Sequence, residues 1–287
     1  MNGLEYFGTS ILGETGGRDM TVAVLMTCHN RCEITLRCLD RLAMASKQCS
    51  DLEFDVWLVD DGSSDGTACE VGSRFPYVHV ISGNGNLFWA KGMHNAWKTA
   101  KKNKEYDFFL WLNDDVVLRT DAIVNAYADY KIANGVIVGA CSEDKFERLC
   151  TYGATDGFDR KIIPCGRPQK ATGWLNGNFV LVPHAVFRKV GMISNEYTHA
   201  RADYDYAERL KKSGIHFYCS SYYVGSCCNN FMDKVKHLGL GARVKLLWQP
   251  GYFNLHDLWL IRRKYHGICR AIVSCLHLTL IVFRGWR

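Results

Sequence analysis

Hydrophobic and polar positions along the chain alternate between two periods. TVAVLMTC (residues 21–28) is a continuous apolar run of strand length. ITLRCLDRLAMAS (34–46) spaces Ile34, Leu36, Leu39, Leu42 and Ala43 as one face of a helix. FDVWLVDDGSSDGT (54–67) predicts a strand running into a polar, Gly-rich loop, and TACEVGSRF (67–75) a helix shortened by Gly72. YVHVIS (77–82) reads as a strand, WAKGMHNAWKTAKKN (89–103) as a helix and YDFFLWLNDDVVL (106–118) as the fourth strand. DAIVNAYADYKIAN (121–134) is a helix and GVIVGAC (135–141) a fifth strand. Strands and helices alternating at this spacing predict an α/β domain with a mainly parallel, Rossmann-like sheet. The second half is less regular. LCTYGATDGFD (149–159) and KIIPCG (161–166) are short strands or a hairpin, and NGNFVLVP (176–183) is a strand followed by the helix HAVFRKVG (184–191). DYDYAERLKKSG (203–214) is a helix ended by Gly214, and IHFYCSSYYVGSCC (215–228) holds one or two strands. There is no internal repeat.

One strand breaks its own pattern. In FLWLNDDVVL (109–118), Asn113, Asp114 and Asp115 interrupt an apolar run, and an unpaired carboxylate is costly to bury. In open α/β sheets, ligands bind beyond the carboxyl ends of the strands. Three polar clusters are expected there: Thr27–Arg31, Asp60–Ser63 and Asn113–Asp115. Any one alone reads equally well as a capped turn; three at the ends of one sheet point to a site. Neither G-x-x-x-x-G-K-[ST] nor a G-x-G-x-x-G after the first strand occurs, which argues against a P-loop and an ordinary dinucleotide fold. Adjacent carboxylates instead suit a Mg²⁺ or Mn²⁺ ion bridging to a diphosphate.

Composition adds two points. Thirteen cysteines, an odd number without a C-x-x-C pair, fit small buried thiols better than disulfides or zinc. The first twenty residues show no basic stretch leading into an apolar one, so no signal peptide is expected and a reducing cytoplasm is the expected compartment. The net charge of +6 is uneven: ten Lys/Arg and two Asp from Asp233 onward give that segment +8 and leave the rest near −2. There Arg262, Arg263, Lys264 and Arg270 precede an apolar run from Ala271 to Phe283, flanked by Trp259, Arg284, Trp286 and Arg287. Thirteen residues fall short of the ~20 that cross a bilayer. The expected arrangement is a basic amphipathic helix lying on an anionic membrane surface, with packing on the body or against a second copy as the alternative. No nucleic-acid-binding motif is present.

The ordered motifs resemble the family 2 inverting glycosyltransferases, which use nucleotide-sugar donors and the A-type glycosyltransferase fold. TCHNR (27–31), WLVDDGSSDGT (57–67), WLNDDV (111–116), NGNFVLVPHAVFRKVG (176–191) and THARADYDYAERLKKSG (198–214) follow that family's order over roughly residues 20–225. The resemblance implies nucleotide contacts from Thr27, Asn30, Arg31, Asp60 and Asp61, and a metal on Asp115, with Asn113 and Asp114 at the donor sugar or diphosphate. It implies Asp203 as general base, with Asp205 as a second candidate on the acceptor side. Trp89 and Lys91, in the donor-loop position GNLFWAKGMHNAW (85–97), are expected at the sugar or diphosphate, and Trp174, Asn176 and Asn178 at the acceptor. The chain departs from the family in two places. Ala202 stands where a Glu precedes the base, and GSCCNN (225–230) stands where a His often completes the metal site, leaving His199 as a substitute ligand. The expected organisation is an N-terminal extension (1–19), a catalytic domain (20–230) with a nucleotide-sugar half (20–118) and an acceptor half (119–230), and a C-terminal membrane-associating segment (231–287). The expected activity is transfer of a hexosyl or deoxyhexosyl group from a UDP-, dTDP- or GDP-sugar to a glycan or lipid-linked acceptor. That places it in bacterial O-antigen or capsule synthesis, at the inner face of the cytoplasmic membrane, with a homo-oligomer conceivable. The competing expectations are a nucleotidyltransferase that makes a nucleotide-sugar and a non-catalytic membrane-bound partner.

Overall fold

The computed structural model describes residues 19–157, 159–228 and 235–284. The N-terminal extension up to residue 18, Asn229 and Asn230 of the GSCCNN stretch, and the flanking Trp286 and Arg287 lie outside the described residues. The first half follows the predicted alternation: β1 (Met20–Cys28), α1 (Cys32–Ser46), β2 (Leu52–Asp60), α2 (Thr67–Arg74), β3 (Val78–Ser82), α3 (Phe88–Asn103), β4 (Phe108–Leu112), β5 (Val117–Leu118), α4 (Ala122–Ala133) and β6 (Val136–Ser142). Then come β7 (Cys150–Tyr152), β8 (Thr155–Asp156), β9 (Arg160–Lys161), β10 (Gln169–Ala171), β11 (Phe179–Pro183), α5 (His184–Val190), α6 (Ala202–Lys212) and β12 (Phe217–Ser226). Among the described residues, the helices α7 (Leu240–Leu246), α8 (Leu255–His266) and α9 (Ile268–Arg284) follow.

The main sheet runs β10-β12-β6-β11-β4-β1-β2-β3, with β5 on β12 and β7 on β6. β1, β2, β3 and β4 are mutually parallel, as are β6 and β12. The central strands are apolar on both faces because helices cover both. Alternate residues of β1 divide accordingly: Ala23 and Leu25 join the core with Trp97, Trp111 and Tyr206 beneath α3 and α6, while Val22, Val24 and Met26 join Leu36, Leu39 and Val71 beneath α1 and α2.

β11 is reversed relative to both neighbours, pairing Phe179 with Leu112 and Val180 with Val138. An antiparallel strand starts where its parallel neighbour ends. The segment preceding β11 therefore stands at the carboxyl end of β4, beside the Asn-Asp-Asp interruption.

Three features refine the predicted elements. The strand predicted for 106–118 is two: β4 stops at Leu112, and after the polar turn β5 leaves to pair with β12. Gln169–Ala171 forms a strand that its composition did not announce; it is made by pairing with Cys219–Phe217. The C-terminal helical segment is broken at Gly267, whose φ of 84° lies in the left-handed region that a helix interior excludes, giving α8 and α9.

Candidate active site

A cleft of about 1120 Å³ opens at the carboxyl ends of β1, β2 and β4. The ends of β1 and β2 build one wall. Thr27 lines the cleft and packs on Gly92 of α3, where any Cβ would overlap its side chain. Asn30, at φ 50°, does not line the cleft. Its backbone amide donates to Ser63 Oγ (2.9 Å) and its Oδ1 accepts from the Ser64 amide (2.8 Å), which ties the loop after β2 to the end of β1. Asp60 Oδ1 accepts from the Ser63 amide at 2.9 Å. Asp61 lines the cleft, but its carboxylate accepts from the amides of Gly85 (2.8 Å), Leu87 (2.8 Å) and Phe88 (2.9 Å). Asp61 thus shapes the loop leading into α3 with both oxygens.

Asn113 stands at the junction of three segments. Its Oδ1 accepts from Trp89 Nε1 (2.6 Å), its Nδ2 donates to Asn178 Oδ1 (2.6 Å), and its amide donates to the Asn178 carbonyl (3.0 Å). Arg31 bridges the two carboxylates that follow, with Nη1 3.1 Å from Asp114 and Nη2 2.8 Å from Asp115. Asp114 is buried, and burial pushes its carboxyl up to about 7, with Arg31 pulling it down and Asp115 pushing it up. The Asp115 side chain is 30% exposed in the cleft, and Cys227 Sγ lies 3.5 Å from its other oxygen.

Asp203 sits in the first turn of α6 and lines the same cleft. Its Oδ2 accepts from the Gly177 amide (3.3 Å) and its Oδ1 from the Tyr204 amide (2.9 Å). Burial raises its carboxyl to about 6, against these two bonds and the Arg201 charge, which lower it. Gly177 links Asp203 to Trp89 and through it to Asn113, because Trp89 lies so close against it that a Cβ would overlap the indole. Trp174 lines the cleft, stacked on Tyr204 with ring centroids 4.9 Å apart, and Asn176 and Asn178 line it beside Gly177.

Besides Asn30 and Asp60, which hold the loop after β2 without lining the cleft, two more expected residues lie elsewhere. Lys91 does not line the cleft. Asp205 is fully buried away from it, bonded to Arg209 Nε (2.8 Å), Lys264 Nζ (2.8 Å), Tyr265 OH (2.8 Å) and Tyr197 OH (3.2 Å). Two positions apart on a helix, Asp203 and Asp205 face different ways. Sequence reasoning missed Tyr152, Thr155 and Lys161 on the cleft wall, which come from strands too short to show a period. It also missed the C-terminal contribution: Tyr252, Phe253, Arg262, Ser274, His277, Leu278 and Ile281 complete the cleft. The only sequence signal for these was the interruption of α9's apolar run by Ser274 and His277.

Among the described residues, no three His, Cys, Asp or Glu side chains gather as a metal cluster, and His199 lines the cleft without joining one with Asp115. Mg²⁺ and Mn²⁺ are commonly held by one or two carboxylates, substrate phosphates and water. The partly exposed Asp115 suits that kind of coordination.

The sequence profile described as "Glycosyl transferase family 2" matches residues 23–190, so the chain belongs to that family and is a glycosyltransferase dependent on a nucleotide-sugar. The fold is the A-type glycosyltransferase fold. One similar solved structure is the mannosyltransferase PcManGT from Pyrobaculum calidifontis in complex with GDP-Man and Mn²⁺. It is 14% identical with a TM-score of 0.53, and the match covers 93% of this chain and 70% of that one. Another is S. aureus TarS 1–349, 14% identical with a TM-score of 0.52, covering 92% of this chain and 81% of that one. No curated protein matches the chain in sequence.

Proposed function

We propose that the protein is an inverting glycosyltransferase that moves a hexosyl or deoxyhexosyl group from a nucleoside-diphosphate sugar to a hydroxyl of a glycan or lipid-linked acceptor. The observation that carries this reading is the continuous contact from Asp203 through Gly177 and Trp89 to Asn113, which holds a buried carboxylate in the same cleft as the Asp114–Asp115 pair. Asp203 takes the proton of the acceptor hydroxyl while that oxygen bonds to the anomeric carbon. The bond from this carbon to the diphosphate breaks in the same displacement, the nucleoside diphosphate leaves with the electron pair, and the configuration inverts. A carboxyl raised to about 6 suits a base working near neutrality. Asp115 would hold Mg²⁺ or Mn²⁺, which supplies positive charge to the leaving diphosphate. Arg31 orients Asp115 and adds its own charge beside it. Asn113 fixes the Trp89 ring, and Trp174, Asn176 and Asn178 offer an aromatic face and amides to the acceptor sugar. A Mn²⁺-bound mannosyltransferase of the same fold supports the metal and the donor class.

Among the described residues, no helix is long and apolar enough to cross a membrane. α9 exposes Ile268, Ile272, Val273, Leu276, Leu280 and Phe283 on its outer face. With the basic C-terminal charge, this supports attachment to the inner face of the cytoplasmic membrane, where surface polysaccharides such as O-antigen or capsule are assembled. A panel of UDP-, dTDP- and GDP-sugars, assayed with Mn²⁺ for donor hydrolysis and for binding of the product nucleotide, tests the reading. Turnover or binding of one donor class is expected; inertness toward all of them refutes it.

A further inference from the structure

The cleft's two ends differ in charge. The donor end is built from Asp61, Asp114 and Asp115 with Arg31. At the other end, Arg201 and Arg262 line the wall together with His277, Tyr204 and Tyr252. The Arg201 guanidinium lies between two rings, 4.6 Å from the Tyr252 centroid and 5.3 Å from that of Tyr204. Its Nη2 donates to the Tyr252 carbonyl at 3.2 Å, and its Nε is buried without a hydrogen-bond partner. The backbone of Arg201 is held at φ 75°, a conformation a non-glycine residue adopts at a cost, immediately before the helix that carries Asp203.

Two nearby cations are neutralised: Arg209 and Lys264 share Asp205. Among the described residues, neither Arg201 nor Arg262 forms an ion pair with a carboxylate. Burial, then the charges of Arg201 and Arg270, hold the Arg262 guanidinium below its ordinary value, so like charges converge there, with Asp203 the nearby carboxylate that feels Arg201 without pairing with it. Desolvated guanidinium groups gain most from a planar or tetrahedral oxyanion that accepts several of their N–H groups. Phe253, Leu258, Leu278 and Ile281 line the same end, so the anion would have an apolar neighbour.

We propose that this end binds a phosphate or diphosphate of the acceptor, with Arg201 and Arg262 as its specificity-determining residues. The sandwiched Arg201 presents fixed donors beside the base, and Arg262 supplies the second charge from α8. The acceptor is then a phosphorylated one, placed so that its hydroxyl reaches Asp203 while its phosphate rests two residues away along the chain. The proposal rests on the reading of Asp203 as general base.

Calorimetric titration of the full chain with geranyl diphosphate tests it, using geraniol as the uncharged counterpart and keeping the donor end filled by a saturating nucleoside diphosphate with Mn²⁺. The wild type is expected to bind the diphosphate in preference to geraniol. The Arg201→Gln/Arg262→Gln variant is expected to bind it at least tenfold more weakly, with nucleotide affinity within twofold of wild type. No binding to wild type, equal binding to wild type and variant, or no preference over geraniol overturns the proposal. A matching tenfold loss of nucleotide affinity also overturns it, by assigning the arginines to the donor's diphosphate. Should the double variant not fold, Arg262→Gln alone decides by the same measure. If no nucleotide binds the wild type, the glycosyltransferase reading fails separately, and the titration without nucleotide still decides the anion site by the same tenfold criterion.

Discussion

Asp203 and Asp205 are chemically identical and two positions apart, yet the structure gives them opposite environments. Asp203 has two backbone amides and a carboxyl raised to about 6; Asp205 has two cations and two phenols. Asp203→Asn removes the proposed base while keeping the shape, so kcat should fall by about 10²–10⁴-fold with nucleotide affinity nearly unchanged, as read by transfer assay and calorimetry. Full activity would remove Asp203 from the mechanism. The sign of the pH effect follows from the same group: a carboxylate acting as base works ionised, so under the proposed role kcat should rise tenfold per pH unit below about 6 and level off above it. A flat profile between pH 5 and 7 would contradict that assignment. At this scale the sequence was informative about which residues gather, because Asn113, Asp114, Asp115 and Asp203 sit in recognisable motifs. It was uninformative about how partners are shared. Arg31, expected at the nucleotide, lines the cleft but also bridges Asp114 and Asp115, and Asp61 holds three amides of the loop leading into α3. Those allocations depend on loops meeting across 24 to 84 positions of chain, which no local pattern encodes.

The site is assembled by one reversed strand. β1 to β4 were legible because long apolar runs alternate with helical spacing. The reversal of β11 was not, because five buried residues look the same in either direction. Reversal is what puts Gly177 and Asn178 against Trp89 and Asn113. Gly177→Ala forces a methyl into the indole, and overpacking of this kind costs about 1–3 kcal/mol. The Trp89–Asn113 bond should loosen, raising the donor KM along with lowering the melting temperature; a variant with wild-type KM and stability would show that the contact is slack. Between α6 and α8, Asp205 acts as a rivet. Burial opposes its ionisation, yet Lys264, Arg209 and Tyr265 hold its carboxyl below the usual range. Asp205→Ala leaves a buried cationic pocket and should cost about 3–5 kcal/mol in urea unfolding, whereas Lys264→Met, at a 40% exposed position, should cost far less. Because the folded carboxyl is the more acidic, its contribution is present above the unfolded value of about 4 and is lost as pH falls through the folded one. The wild type should therefore lose stability below pH 4 more steeply than the Ala variant.

At the scale of the whole molecule, the C-terminal helices change what the chain's charge asymmetry means. Composition alone separated residues 231–287 as an appendage for a membrane. In the structure, α8 is bonded to the loop before Asp203, Asp257 accepting from Thr198 and His199 amides, and α9 sends Ser274, His277, Leu278 and Ile281 into the cleft. The apolar run was legible; its division into an inward and an outward face was not, because both faces are rich in aliphatic residues and only Ala271 and Val282 are fully covered. One helix is thus both cleft wall and outer surface, and a membrane bound to its outer face would lie one helix diameter from the end of the cleft lined by Arg201 and Arg262. This makes truncation of α9 a poor test, since it would open the cleft as well. Leu276→Glu/Leu280→Glu changes only side chains that are 60% and 51% exposed. Each charge removes apolar contact with the bilayer and adds repulsion from anionic lipid. Flotation with vesicles containing anionic phospholipid should show at least a tenfold loss of binding, while hydrolysis of a soluble donor stays within twofold of wild type. Undiminished flotation would show that the outer face of α9 is not what holds the enzyme to a membrane.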